Sequence, residues 1–116
     1  MRIWDVSPSV LCRQHLLGEH RELHALWVIL TQNKKGYARH PETLRWRGKL
    51  AALYNRHELL VEELRRRGYN HASALDPNLA TGTPIQTEFV DTLDRQRTML
   101  QQKGCSCLLA DPELSR

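Results

Sequence analysis

The chain has 116 residues, enough to bury a core in one domain without staples. Its only cysteines are Cys12, Cys105 and Cys107, an odd number with no paired framework, and no apolar run approaches the ~18 residues of a membrane span. Disulfide scaffolds and spanning helices are therefore not expected, and the 17 Lys and Arg against 13 Asp and Glu, a net charge of +4, suit an anionic partner.

Residues 1 to 6, MRIWDV, form a short lead that Trp4 and Val6 tack onto the body, and Arg2 and Asp5 interrupt it before any signal-peptide core. The chain reads as cytosolic with reduced thiols. Ser7-Pro8 is a cap followed by a residue preset for a first turn, which predicts helix from about Pro8 to Thr31. At ~100° per residue, Leu16, Leu23, Trp27 and Leu30 fall on one side of that helix, with Gln14, His15, Gly18, Arg21, Glu22 and Ala25 on the other. An amide, an imidazole, a guanidinium and a carboxylate around two small residues would let something large approach the backbone. The alternative is the solvated face of an ordinary amphipathic helix.

Residues 32–39, QNKKGYAR, form a basic loop, and Pro41 restarts helix as far as Arg67, with a possible break at Gly48. Leu50, Leu53, His57, Leu60 and Leu64 make a core seam that takes in one histidine, and Arg65 to Arg67 followed by Gly68 is a helix stop. Residues 69–82 have turn composition. Thr83-Pro84-Ile85-Gln86 has capping-box spacing, which predicts a third helix with Ile85, Phe89, Leu93 and Leu100 on its apolar stripe, ending near Gly104. The expectation is an all-α fold, a single compact domain of three main helices with long loops spanning 1–104, then a loosely held tail at 105–116.

Basic residues cluster at Lys34 and Lys35, Arg39, Arg45 with Arg47 and Lys49, and Arg65 to Arg67, each readable as a binding patch or as a solvated face. His20 and His24 stand at i, i+4, a metal-binding spacing without a visible third ligand, and Cys105-Ser106-Cys107 lacks C-x-x-C spacing. No metal site and no cofactor is expected. Phosphate loops and nucleophile elbows are missing from the sequence.

The opening Met1-Arg2-Ile3, then Gln14-His15-Leu16 and Glu19-x-Arg21-Glu22-Leu23, resemble the phage-type endonuclease V family of pyrimidine-dimer DNA glycosylases with associated abasic-site lyase activity. Gly36-Tyr37, His40-Pro41, Arg67-Gly68-Tyr69-Asn70 and Arg95 also fit, so the likeness spans about residues 1 to 103. The resemblance implies that the α-amino group of Met1 is the nucleophile that attacks the sugar C1′ and forms an imine, with Glu22 as the essential carboxylate. It also implies that Arg2, Gln14, His15, Arg21 and Arg95 grip DNA and that Gly18 allows its close approach. The implied partner is double-stranded DNA containing a lesion, met by a monomer in the cytoplasm, at the nucleoid.

The chemistry is coherent: an α-amine with a reference pKa of ~8 is substantially free near neutrality, and a carboxylate can shuttle protons and stabilise a cationic sugar. Two features depart from the family pattern. Ala25 replaces an arginine, and Cys105 to Arg116 replaces an aromatic, lysine-containing tail, so dimer-selecting contacts are not read from this chain. Met1 is expected to be retained because Arg2 is bulky. The rival expectations are a glycosylase of the same chemistry for another modified base, and a non-catalytic, basic helical DNA-binding protein.

Overall fold

The structure, a computed structural model, describes residues 1–70 and 73–107. Four α-helices and two short 3₁₀ turns make up its regular structure, with no strand among the described residues: α1 is Arg13–Thr31, α2 Pro41–Trp46, α3 Leu50–Arg66 and α4 Leu93–Gln102. The fold is all-α, as the periodicities predict.

The main helix–helix contact joins α1 and α3. Leu16, Leu23 and Leu26 of α1 and Leu53 and Leu60 of α3 are fully buried there, with Ile3 from the lead and Leu100 from α4 closing the core. Full burial of a Leu or Ile contributes about 1.5–3 kcal/mol, so this shared layer is the main favourable term holding the helices together.

Two boundaries differ from the sequence expectation, each because distant partners take up the backbone. Ser7 and Pro8 start only a 3₁₀ turn, Pro8–Val10, because Leu11 and Cys12 then go extended and Leu11 drops into the core. The carbonyls of Pro8, Ser9 and Leu11 accept instead from the Arg67 guanidinium, at 3.3, 3.3 and 2.7 Å. The helix from Pro41 does break around Gly48, giving α2 and α3.

The third helix begins at Leu93 rather than after Thr83. Thr83 N–H donates to Gly48 O at 3.1 Å, while the carbonyls of Thr81 and Thr83 accept from Ala51 and Ala52 N–H at 2.7 and 3.2 Å, so this segment satisfies the exposed first turn of α3. Gly82, at φ +84°, lies so close that a Cβ would come within 2.1 Å of Gly48 O. Gln86 bridges Arg45 O and Lys49 Nζ, both at 2.8 Å, instead of closing a capping box. The working cap of α4 is Thr92, whose hydroxyl accepts from Arg95 N–H at 3.1 Å. Ile85 and Phe89, expected on the buried stripe, are consequently exposed. No helix among the described residues is long and apolar enough to cross a membrane.

Candidate active site

The lead that carries the N-terminus is extended, and backbone in that state needs partners from elsewhere in the fold. Arg45 of α2, almost fully buried, donates to Ile3 O at 2.8 Å and to the Asp5 carboxylate at 3.0 Å while pairing with Glu42 at 2.8 Å. Gln96 of α4 closes a reciprocal pair on Asp5, accepting from its N–H at 2.7 Å and donating to its carboxylate at 2.9 Å. Arg56 of α3 donates to Val6 O at 2.9 Å. Residues 3 to 6 are thus fixed from three helices. Arg2 is held at the surface by Asp91, at 2.8 Å, with its guanidinium 5.2 Å over the Trp4 ring.

This clamp sets Met1 against α1. Met1, Arg2, Gln14, His15, Gly18 and Glu22 line one cleft of about 230 Å³, so six of the eight residues singled out from the sequence come together. Arg21 and Arg95 do not line it; both side chains are exposed and make no ion pair with any described residue. Gly18 leaves open space where a Cβ would stand, a bare patch of helix backbone in the cleft wall.

Two carboxylates face this region from neighbouring turns. Glu19 is 2% exposed and takes a two-point hydrogen bond from Arg56, 2.7 and 3.0 Å, so its charge is matched inside the fold. Burial pushes the Glu19 carboxyl above the usual carboxylate range, opposed by the Arg56 guanidinium. Glu22 is half-buried and has no hydrogen bond or ion pair with any described residue. Of the two, only Glu22 has oxygens available to a bound molecule.

The structure also adds residues that the sequence reading passed over. Lys103, just past α4, completes the cleft wall and places an amine there. Arg45, Asp5, Arg56 and Gln96 do not line the cleft but orient its terminus, and nothing in their local sequence marks them for that role, because their partners lie up to 91 residues away. Several cations of the basic clusters are occupied internally: Arg45 is buried, Lys49 pairs with Glu88 at 3.1 Å, and Arg66 and Arg67 both pair with Glu63.

Among the described residues, two groups of side chains have donor sets that suit metals. His15 Nδ1 faces Cys12, Cys107 and Cys105 Sγ at 3.1, 3.3 and 3.4 Å. Burial, followed by the charge of Lys103, lowers the His15 pKa; burial pushes the Cys107 thiol up to about 12. Burial also acts to raise Cys12, but the amides of the first turn of α1 and the neighbouring thiols outweigh it and leave Cys12 below the ordinary thiol value. In the other group His24 Nε2 lies 3.2 Å from His20 Nε2 and 3.1 Å from His57 Nε2, which supplies the third imidazole that the sequence did not show. His57 Nδ1 in turn meets Glu58 at 3.0 Å. A larger cleft of about 330 Å³ adjoins His57 on α3 but contains neither the terminus nor Glu22.

The sequence matches the model of the family described as pyrimidine dimer DNA glycosylase over residues 1–77, a stretch that holds every cleft residue named above except Lys103. No curated protein and no solved structure matches the chain.

Proposed function

The chain belongs to the pyrimidine dimer DNA glycosylase family, and from that premise we propose that it excises damaged pyrimidines from duplex DNA through an imine formed by its own N-terminal amine. The observation that carries this reading is the convergence of Met1, Arg2, Gln14, Gly18 and an unpaired Glu22 on one cleft. In the proposed reaction the lone pair of the Met1 α-amine forms a bond to C1′. The bond from C1′ to the base breaks, and the base leaves with that electron pair and a proton. Loss of the amine proton and opening of the sugar give the imine. It then makes the neighbouring C2′ proton removable, so the bond from C3′ to the phosphate oxygen breaks by β-elimination. Glu22 moves the protons and stabilises positive charge on the sugar.

The remaining groups suit DNA. Arg21, Arg95 and Lys103 offer cations for phosphates, Arg2 offers its guanidinium by exchanging Asp91 for a phosphate, Gln14 offers hydrogen bonds, and Gly18 leaves room for the strand. The damaged site costs least to open, because pairing there is already weakened. Arg45, Asp5, Gln96 and Arg56 act as positioning residues that hold the amine's chain segment at a fixed place relative to α1.

The test is a set of duplex oligonucleotides of one sequence carrying a thymine dimer, an abasic site, another modified pyrimidine or no lesion. N-glycosyl-bond and strand cleavage at the dimer, the detached base staying tethered to its partner through the cyclobutane ring, with strand cleavage alone at the abasic site, is the expected result. Activity confined to the other modified base would replace the substrate, and binding without cleavage of any duplex would reduce the protein to a DNA-binding module.

A further inference from the structure

Cys12 caps the start of α1, His15 sits one turn along it, and Cys105 and Cys107 follow the end of α4, so four soft or borderline ligand atoms from opposite ends of the chain meet at one point. All four lie within 4.8 Å of one another. A neutral imidazole has a single acceptor lone pair, and one thiol hydrogen can occupy it. Here three sulfurs crowd the same Nδ1, at 3.1, 3.3 and 3.4 Å, and Cys105 and Cys107 Sγ stand 3.3 Å apart. Cys105 Sγ also reaches Leu100 O at 3.7 Å, but a hydrogen bond at Nδ1 accounts for one of its three sulfur contacts and leaves two, and three thiols cannot all pair as disulfides.

A cation at the centre resolves the crowding. With metal–sulfur bonds near 2.3 Å and metal–nitrogen bonds near 2.0 Å, the edges of a tetrahedral zinc site are about 3.5 Å for N···S and about 3.8 Å for S···S. The three N···S edges and the Cys105–Cys107 edge fall a few tenths of an ångström short of those values, a shift that side-chain torsions can absorb, and the two remaining S···S edges lie within 4.8 Å. Cys12 N–H also points at Cys107 Sγ from 3.1 Å, an outer-shell donor of the kind that steadies a coordinated thiolate.

We propose that Cys12, His15, Cys105 and Cys107 bind one structural zinc ion that fastens the end of α4 to the start of α1. Three thiolates and one imidazole close a tetrahedral shell with no position left for water, and thiolate ligands select zinc over magnesium, calcium or manganese. On binding, each thiol releases its proton to solvent, His15 coordinates as the neutral ring through Nδ1, and its remaining proton sits on Nε2. The site lies on one wall of the cleft: His15 belongs to both, and Lys103 is only two residues from Cys105. The ion would therefore hold Lys103 against the cleft. This inference does not depend on the glycosylase reading, because metal content is measured without substrate. The His20, His24 and His57 group, an all-nitrogen set, is the competing location.

The experiment uses the untagged full chain, since a histidine tag would itself bind the metal. Elemental analysis should give about one zinc per chain, as a closed four-ligand site requires. Cobalt exchanged for zinc should show thiolate-to-metal charge-transfer absorption with the intense visible bands of tetrahedral coordination, and all three thiols should resist a disulfide reagent until a chelator is added. Cys105→Ser with Cys107→Ser should abolish metal content and both absorptions, whereas His20→Ala with His24→Ala should retain them. The proposal is overturned if the wild type holds no zinc and takes up no cobalt, or if cobalt binds without a thiolate band. It is equally overturned if the histidine variant alone loses the metal, or if the native mass reveals a Cys105–Cys107 disulfide. The wild-type absorption and thiol protection decide the matter even where a cysteine variant fails to fold.

Discussion

The charged layer beneath the lead and the cleft that this layer backs use the same side-chain types to opposite ends. Beneath the lead, Glu19 meets Arg56, Arg45 meets Asp5 and Glu42, and Gln96 meets Asp5, all with short, multiple hydrogen bonds and little exposure. In and around the cleft, Glu22, Gln14 and Arg21 have solvent access and no partner among the described residues. A buried charge is tolerated because a partner compensates it, so it is a part of the fold. A charge left unpaired at an opening keeps its oxygens or N–H groups for something that arrives later. Glu19 and Glu22 are one helical turn apart, which shows that residue type and spacing cannot assign these roles; partnership does.

The comparison can be broken from either side. The largest effect is expected in the cleft: Glu22→Gln should lower the rate of N-glycosyl-bond cleavage at the lesion by about 10²–10⁴-fold, the usual span of a positioned acid or base, and leave folding and duplex affinity unchanged. Turnover at the wild-type rate would remove Glu22 from the chemistry. On the buried side, Arg56→Leu leaves the Glu19 carboxylate without its partner and Val6 O without its donor, and should destabilise the fold by about 3–5 kcal/mol in denaturant titrations. A variant as stable as the wild type would show that the pair is not structural.

Smaller changes sharpen the boundary between the two regions. Gly18→Ala meets nothing within 4 Å and should raise stability by about 1 kcal/mol, the ordinary gain of alanine over glycine inside a helix, yet weaken binding of lesion-containing duplex. Equal binding would mean that DNA does not approach α1 at that turn. Arg21→Ala should reduce the slope of log affinity against log salt by about 1, as the loss of one phosphate contact does, with no change in the thermal midpoint. An unaltered slope would place Arg21 outside the interface.

What was legible in the sequence follows from the range of the forces involved. The seams of α1 and α3 show in the chain because burial imposes a 3.6-residue period, and Leu16, Leu23, Leu53, Leu60 and Leu64 are buried as that period requires. Thr83 misled because a capping-box pattern is a local preference, whereas the N–H groups of Ala51 and Ala52 lacked partners and engaged its backbone, along with that of Thr81, from about 30 residues away. The cleft was legible through resemblance, on residues 1, 2 and 14 to 22, while the clamp that orients the terminus was not. Asp5, Arg45, Arg56 and Gln96 are scattered polar residues until the fold joins them. The same holds for the two metal-suited groups: His57 completes the pair at His20 and His24 from another helix, and Cys12 and His15 lie 90 residues or more from the cysteines they meet.

The central claim is that the N-terminal nitrogen itself attacks the sugar, and the cleft supplies the rival that makes the claim testable. Lys103 is a second amine in the same wall, whereas Lys49 is occupied by Glu88 and Gln86. One residue added before Met1 would move the nucleophile by up to ~3.5 Å, a misplacement that costs orders of magnitude in rate. Borohydride reduction of the protein on abasic-site duplex, followed by mass spectrometry of the cross-linked peptide, is therefore the most direct measurement. The account predicts an adduct on the α-nitrogen of an unblocked Met1, lost on N-terminal extension or acetylation and kept in Lys103→Arg. An adduct on Lys103, or equal trapping by a chain extended at its N-terminus, would contradict it.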